Sequence, residues 1–154
     1  MRVNFLVVCA MATTFALLPA TVGAAGTVTV SVPDALSLDN RVVVTVPVTV
    51  VCDPLPDTPV SSSVSVSLTQ AVGQEIAHAS GQVSSFGSSF LVCDGVTANV
   101  VRVQVQASNI PFHGGPAVIS AFASYSTGIL FAPCCFSTTN SETGSTGLVA
   151  VRLQ

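Results

Sequence analysis

Val60-Ser-Ser-Ser-Val64-Ser-Val66-Ser-Leu68-Thr-Gln70 is the stretch that decides the fold. Successive side chains of an extended chain point to opposite faces, so Val64, Val66 and Leu68 share one face and the serines with Thr69 the other. A helix would scatter these residues, because its apolar stripe recurs about every 3.6 positions. The reading is a half-buried strand.

The same period extends outward from it. Upstream, Arg41 to Cys52 places Val42, Val44, Val46, Val48 and Val50 on one face and ends at a cysteine. Pro47 on the opposite face lacks a donor for a ladder hydrogen bond, so a bulge or an uncovered edge is expected there. Further upstream, Thr27 to Val32 alternates and stops at Pro33-Asp34. Downstream, Gln74 to Val83 and Ser88 to Cys93 read as two weaker strands, and Asp94-Gly95 as a hairpin-type turn. Val96 to Ala107 alternates again. His113-Gly114-Gly115-Pro116 interrupts the chain before Ala117 to Tyr125, and Gly147 to Leu153 supplies a last strand. The polar run Ser137 to Thr146 reads as a mobile loop. Eight or nine strands at about ten-residue spacing, punctuated by Pro, Gly and Asp, predict an all-β domain, an immunoglobulin-like Greek-key β-sandwich, with a small barrel as the alternative.

Residues 1–24 read as a cleavable signal peptide and 25–154 as the single folded domain. Arg2 precedes an uncharged run through Leu18, Pro19 breaks it, and Val22-Gly23-Ala24-Ala25 offers the small side chains a signal peptidase requires, for cleavage after Ala24 or Ala25. The apolar run falls short of the roughly 20 residues needed to span a bilayer. Cys9 lacks the small preceding residue of a lipoprotein site, since Val8 stands there. No second apolar segment follows, so no membrane span is expected after cleavage.

Charge is scarce: 7% of residues are charged and the formal net charge is −3, with no lysine and no tryptophan. Without Arg2, only Arg41, Arg102 and Arg152 remain as cations. Three dispersed arginines in an acidic chain cannot displace enough counterions to hold a phosphate backbone, which excludes nucleic acid as a partner. Hydrophobic residues make up 49%, enough to sustain a core rather than a disordered chain.

Four cysteines remain after the leader: Cys52, Cys93, Cys134 and Cys135. An even number in an exported chain points to disulfides, and four allow three pairings. Cys52 with Cys93 is the preferred bridge, as each ends a β run. The adjacent Cys134 and Cys135 are expected as a vicinal disulfide rather than as thiols, with pairing to Cys52 and Cys93 as the alternative. Neither Cys52 nor Cys93 has a second ligand at zinc-site spacing, so no metal and no cofactor are expected.

Catalysis finds little to work with. His78 lies in the alternating run Ile76-Ala77-His78-Ala79 and His113 in a Gly-Pro turn, and no Gly-x-Ser-x-Gly elbow accompanies either. Glu75 and Glu142, in a weak strand and a polar loop, do not suggest a glycosidase pair. Asp53 and Asp94 would meet at one end of the domain if Cys52 and Cys93 are bridged, which raises calcium; turn initiation is the simpler role. The most unusual segment is Gly128 to Phe136, apolar but not alternating. It reads either as a core strand ending in a buried loop or as an exposed patch for a partner, built on Ile129, Leu130, Phe131 and Phe136.

Cys52 after a valine-rich strand, Val64-Ser-Val66-Ser-Leu68-Thr-Gln70, Cys93-Asp94-Gly95, and Phe112-His113-Gly114-Gly115-Pro116-Ala117 together resemble small exported actinobacterial-type domains of unknown function with an immunoglobulin-like fold. The likeness covers about Thr27 to Tyr125 and the last strand. The aromatic such domains carry after Cys-Asp-Gly is replaced by Ala98-Asn99-Val100, and the Cys134-Cys135 insert has no counterpart. The resemblance implies export and fold, and no activity. The functional expectation is a secreted, non-enzymatic interaction or structural module acting on an extracellular protein or cell-surface partner. The alternatives are a small-ligand carrier similar to the enediyne-binding apoproteins and, last, a secreted hydrolase.

Overall fold

Alternating burial carries the chain through nine strands in a computed structural model that describes residues 27–39, 41–131 and 135–154. They are β1 (Val28–Ser31), β2 (Ala35–Leu36), β3 (Val43–Cys52), β4 (Thr58–Val72), β5 (Glu75–Phe86), β6 (Asn99–Ala107), β7 (Gly115–Phe131), β8 (Cys135–Ser145) and β9 (Val149–Leu153). No described residue is helical. The expected signal peptide, 1–24, and Cys134 lie outside the described residues, as do the side chains of Leu130, Phe131, Cys135 and Phe136.

The valine stripes end up where period two puts them. Val44, Val46, Val48 and Val50 of β3, Val64, Val66 and Leu68 of β4, and Val103 and Val105 of β6 are buried in one apolar cluster. Ala117, Ile119, Ala121, Ala123 and Tyr125 of β7 complete it. Val42 stays largely outside. Burial of each valine is worth about 1.5–3 kcal/mol, so this cluster is the main source of stability.

All nine strands join one hydrogen-bonded sheet in the order β1-β3-β6-β5-β4-β7-β9-β2, with β8 on β7. The sheet curls into a half-barrel. One wing is β1-β3-β6 and the other β5-β4-β7 with β8 and β9. The wings are stitched lightly at their junctions. β5 meets β6 only at Ala79↔Ala107 and Ser80↔Gln106. β2 runs parallel to β9 through Ala35↔Arg152 and Leu36↔Leu153, and Leu38 then bridges Val44.

Pro47 pairs with Arg102 in an unbroken β3–β6 register, so there is no bulge. The opposite edge of β3 is paired by β1 only at Thr49 to Cys52, and by Leu38 at Val44. Pro47 therefore sits where that edge is uncovered among the described residues, the second of the two expectations for it.

Two glycines mark where the wings come closest. A Cβ on Gly81 of β5 would collide with the carbonyl of Gln104 in β6, and one on Gly144 of β8 with the carbonyl of Val28 in β1. In both places backbone lies against backbone with no room for a methyl group.

Two segments depart from expectation. Ser88 to Cys93 forms no strand; residues 87–98 are a loop. Its backbone groups are satisfied by side chains instead of a ladder, with the Ser89 hydroxyl accepting from Leu91 N–H and the Asn99 carbonyl from Val92 N–H. Asp94-Gly95 turns within this loop rather than joining a hairpin. Ser137 to Thr146, expected as a mobile loop, is mostly β8, paired with β7 from Phe122↔Ser145 to Phe131↔Cys135. β7 is long enough to offer β8 a partner along its upper half and β9 one along its lower half.

Inward polar residues at either end of β4 hold the loops. The Gln70 amide donates to the carbonyls of His113 (2.7 Å) and Pro116 (3.4 Å) and accepts from His113 N–H (2.9 Å). Ser62 accepts from Phe90 N–H (3.2 Å) and donates to Ser85, whose own proton goes to Ser88 carbonyl.

Replacing Gly81 by alanine is expected to cost about 2 kcal/mol or more, because backbone rather than a flexible side chain must move. Gly73 is the contrast. Nothing lies within 4 Å of its Cβ position, and Gly73→Ala should lose only the smaller cost of a non-glycine residue at φ +62°. Urea unfolding of the two oxidised variants checks the difference.

Candidate binding face

The disulfide end of the domain brings together four of the sequence-derived candidates, Cys52, Asp53, Cys93 and Asp94. Cys52, the last residue of β3, is bonded to Cys93 across a sequence separation of 41. Cys52 is buried and Cys93 partly so. The bridge fastens the 87–98 loop to the end of β3, helped by Gly95 N–H to Cys52 carbonyl and Asn99 Nδ2 to the carbonyls of Val50, Val92 and Thr97.

Asp53 and Asp94 lie at this end, Asp53 engaged through Oδ2 and Asp94 through both carboxylate oxygens. Asp53 accepts from both the N–H and the hydroxyl of Thr27. Asp94 accepts from Val96 N–H, Thr97 N–H and the Thr97 hydroxyl. Those bonds, the Thr97 hydroxyl first, pull the Asp94 carboxyl from 3.8 to about 2. Among the described residues no three His, Cys, Asp or Glu side chains are grouped to hold a metal. Asp94 braces the turn of its own loop, while Asp53 ties the end of β3 to the residue that precedes β1.

The histidines have no catalytic company among the described residues. His78 Nδ1 stands 3.4 Å from the Thr69 hydroxyl on the exposed face of β5. The nearby Ser108 hydroxyl donates to the His78 main-chain carbonyl, not to its ring. His113 is exposed, and its main chain is held by Gln70.

Of the apolar candidates, Ile129 is 52% exposed at the end of β7. The side chains of Leu130, Phe131 and Phe136 lie outside the described residues, as does the pairing of Cys134 and Cys135. The backbone there is a hairpin, Leu130↔Phe136 and Phe131↔Cys135. Beside it, Thr127 Oγ1 is buried with no hydrogen-bond partner among the described residues.

The feature the sequence reading passed over is the outer face of β5-β4-β7-β8. Strand register assembles it in rows. Ser84, Ser63, Ser124 and Thr143 form one, Gln82, Ser65, Phe122 and Ser145 the next, and then come Ser80, Ser67 and Ser120. A cleft of about 480 Å³ opens in its middle, lined by Ser65, Ser67, Ser80, Gln82, Ser120 and Phe122 with the backbone of Val66 and Gly81. The Phe122 ring is 42% exposed there. No ionisable side chain lines the cleft. The signal was present in the sequence: in Ser120-Ala121-Phe122-Ala123-Ser124, Phe122 is a large apolar residue in the outward register.

A second concavity, about 350 Å³, runs along the uncovered edge of β3 beneath Arg102, between Ser37 and Pro47. No protein-family model matches the chain, and no curated protein matches it.

Two outcomes are expected at the disulfide end. Cys52→Ala with Cys93→Ala should lower stability by about 4 kcal/mol in urea, from the loop-closure entropy of the unfolded chain. A depressed carboxyl stabilises the fold above its unfolded pKa and loses that contribution as pH falls through its folded pKa. Asp94 should therefore contribute fully above about pH 4 and lose its share between pH 4 and 2. Acid unfolding of Asp94→Asn beside the parent, with NMR titration of the carboxyl, measures this.

Proposed function

We propose that the chain is an exported, non-enzymatic binding module of immunoglobulin-like topology that acts outside the cell. The observation that carries the reading is the outer face of β5-β4-β7-β8, uncharged, rich in hydroxyls and hollowed around Phe122. Such a surface is poor in catalytic groups and well supplied with hydrogen-bonding ones.

The topology is supported by strand order. β1-β3-β6 corresponds to the A-B-E wing and β5-β4-β7-β8 to the C′-C-F-G wing of that fold, with the first strand divided between the wings as β1 and β2. In this reading the Cys52–Cys93 bridge stands in for the B–F bridge of antibody domains, tying the end of β3 to the 87–98 loop between β5 and β6. Export is supported by the leader-like residues 1–24 and by a disulfide of the kind that persists in oxidising surroundings. The partner is an extracellular or cell-surface molecule. A carrier of the enediyne-apoprotein type would need an enclosed apolar cavity, and the Phe122 cleft is open, with four serines and Gln82 beside its one aromatic ring.

Expressed with its own leader in a secreting host, the protein is expected in the medium or on the outer cell surface. Its intact mass should begin at Ala25 or Gly26, and a nonreduced digest should link Cys52 to Cys93. The purified protein should bind the cell surface saturably. Ser67→Arg, which plants a charge in the cleft, should weaken that binding about tenfold or more, and His78→Ala with His113→Ala should leave it intact. A chain retained inside the cell with its leader, or binding indifferent to Ser67→Arg, refutes the proposal.

A further inference from the structure

The hydroxyls of the outer face fall into two groups. Toward the β8 hairpin several of them satisfy one another, Ser63 with Ser124 at 2.9 Å and Ser126 with Ser141 at 3.1 Å, although Ser84 and Thr143 in the same row make no side-chain hydrogen bond with a described residue. Around Phe122 none do. Ser65, Ser67, Ser80, Ser120 and Gln82 make no side-chain hydrogen bond with any described residue. Five free polar side chains therefore converge on one half-exposed aromatic ring.

That combination selects a ligand chemistry. No cation or carboxylate lines the cleft, so a phosphate, an acidic sugar or an amine would be desolvated there without a counter-charge. A peptide strand would need free backbone donors and acceptors. β4, which forms the floor, is paired along this stretch on both edges, by β5 and by β7. A lipid chain would lie against hydroxyls that it cannot satisfy. What remains is a neutral molecule with many hydroxyls of its own and one apolar face. A pyranose ring is such a molecule: its hydroxyls project around the rim and its C–H groups form a patch that packs on the electron-rich face of an aromatic ring. The volume of about 480 Å³ lies in the ordinary range of small-ligand clefts.

We propose that this cleft binds a neutral oligosaccharide. Phe122 stacks against a sugar ring, and Ser65, Ser67, Ser80, Ser120 and Gln82 supply hydrogen bonds around it. The proposal rests on the reading of the chain as an extracellular binding module and narrows its partner to an uncharged glycan.

Affinity electrophoresis of the exported full-length product tests it, in native gels containing soluble β-glucan, xylan, galactomannan or glycol chitin, with polygalacturonate as the anionic control. At least one neutral polysaccharide is expected to retard the protein. Because no charge takes part, added 0.5 M salt should leave the retardation unchanged, as titration of the matching oligosaccharide with and without salt would show. Phe122→Ala should weaken binding about tenfold or more, while Phe122→Tyr retains it. Ser67→Ala with Ser120→Ala, on the exposed face, provides a second loss variant that keeps the ring. Far-UV circular dichroism and thermal unfolding check that each variant is folded. Retardation by none of the neutral glycans overturns the inference, as does binding that survives Phe122→Ala in the folded protein. Retardation by polygalacturonate alone, abolished by salt, also overturns it, yet leaves the binding-module reading standing. Loss of cell-surface binding altogether would remove both.

Discussion

Backbone contact between the two wings, at Gly81 against Gln104 and at Gly144 against Val28, is the constraint on which the rest of the structure depends. It brings the wings together at points where no side chain separates them, which leaves only a thin apolar layer nearby. The inward residues next to these contacts are correspondingly small. Ala77 and Ala79 precede Gly81 on β5, and Ala123 of β7 lies opposite Gly144. Larger residues, Leu36 and Leu153, are fully buried where β2 and β9 pair to close the curl. Packing at crystalline density leaves no alternative: where backbones touch, large side chains have no volume to occupy.

Period two made much of this legible. The buried faces of β3, β4 and β6 are the valine sets that alternation assigned, because a strand one residue out of register would turn every one of them to water. Cys52 and Cys93 are bonded as expected, but only Cys52 ends a strand; Cys93 lies in the 87–98 loop, so half of the reason for pairing them does not hold. The inward placement of Ser62 and Gln70 was not legible, since composition assigns polar residues outward. Both are buried because loop backbone inside the fold needs hydrogen-bond partners, and these side chains supply them. β8 was hidden for a related reason. Its half-buried residues are Asn140, Glu142 and Gly144, so it carries no apolar stripe, and its pairing is dictated by the length of β7. Gly81 looks like a weakness in a strand until the path of β6 gives it a purpose.

The Phe122 face was the least legible part of the candidate site. Its residues come from β4, β5 and β7, brought into rows by register alone, and each serine separately is ordinary strand surface. What distinguishes the cleft is that its unpaired serines and Gln82 flank a half-exposed aromatic ring, whereas Ser63 and Ser124, and Ser126 and Ser141, are bonded to each other. That difference depends on side-chain geometry across strands. Of the apolar segment Gly128 to Phe136, residues 128–131 end β7 and residues 135–136 begin β8.

A domain with no lysine must manage its open edges by other means, as the proline at position 47 does at the uncovered edge of β3. β8 is the severe case, eleven residues long with neither lysine nor proline in it and paired only to β7 among the described strands. Its protection is geometric. The register shifts between Thr127 and Gly128, leaving Thr139 as an extra residue that interrupts the row of edge groups. Asp57, itself at a left-handed φ of 72°, accepts the Thr139 hydroxyl and Asn140 amide and holds the bulge in place. One carboxylate in a turn thus does for this edge what a row of lysines does elsewhere. It leaves the neighbouring outer face free of the charges that would compete with an uncharged ligand.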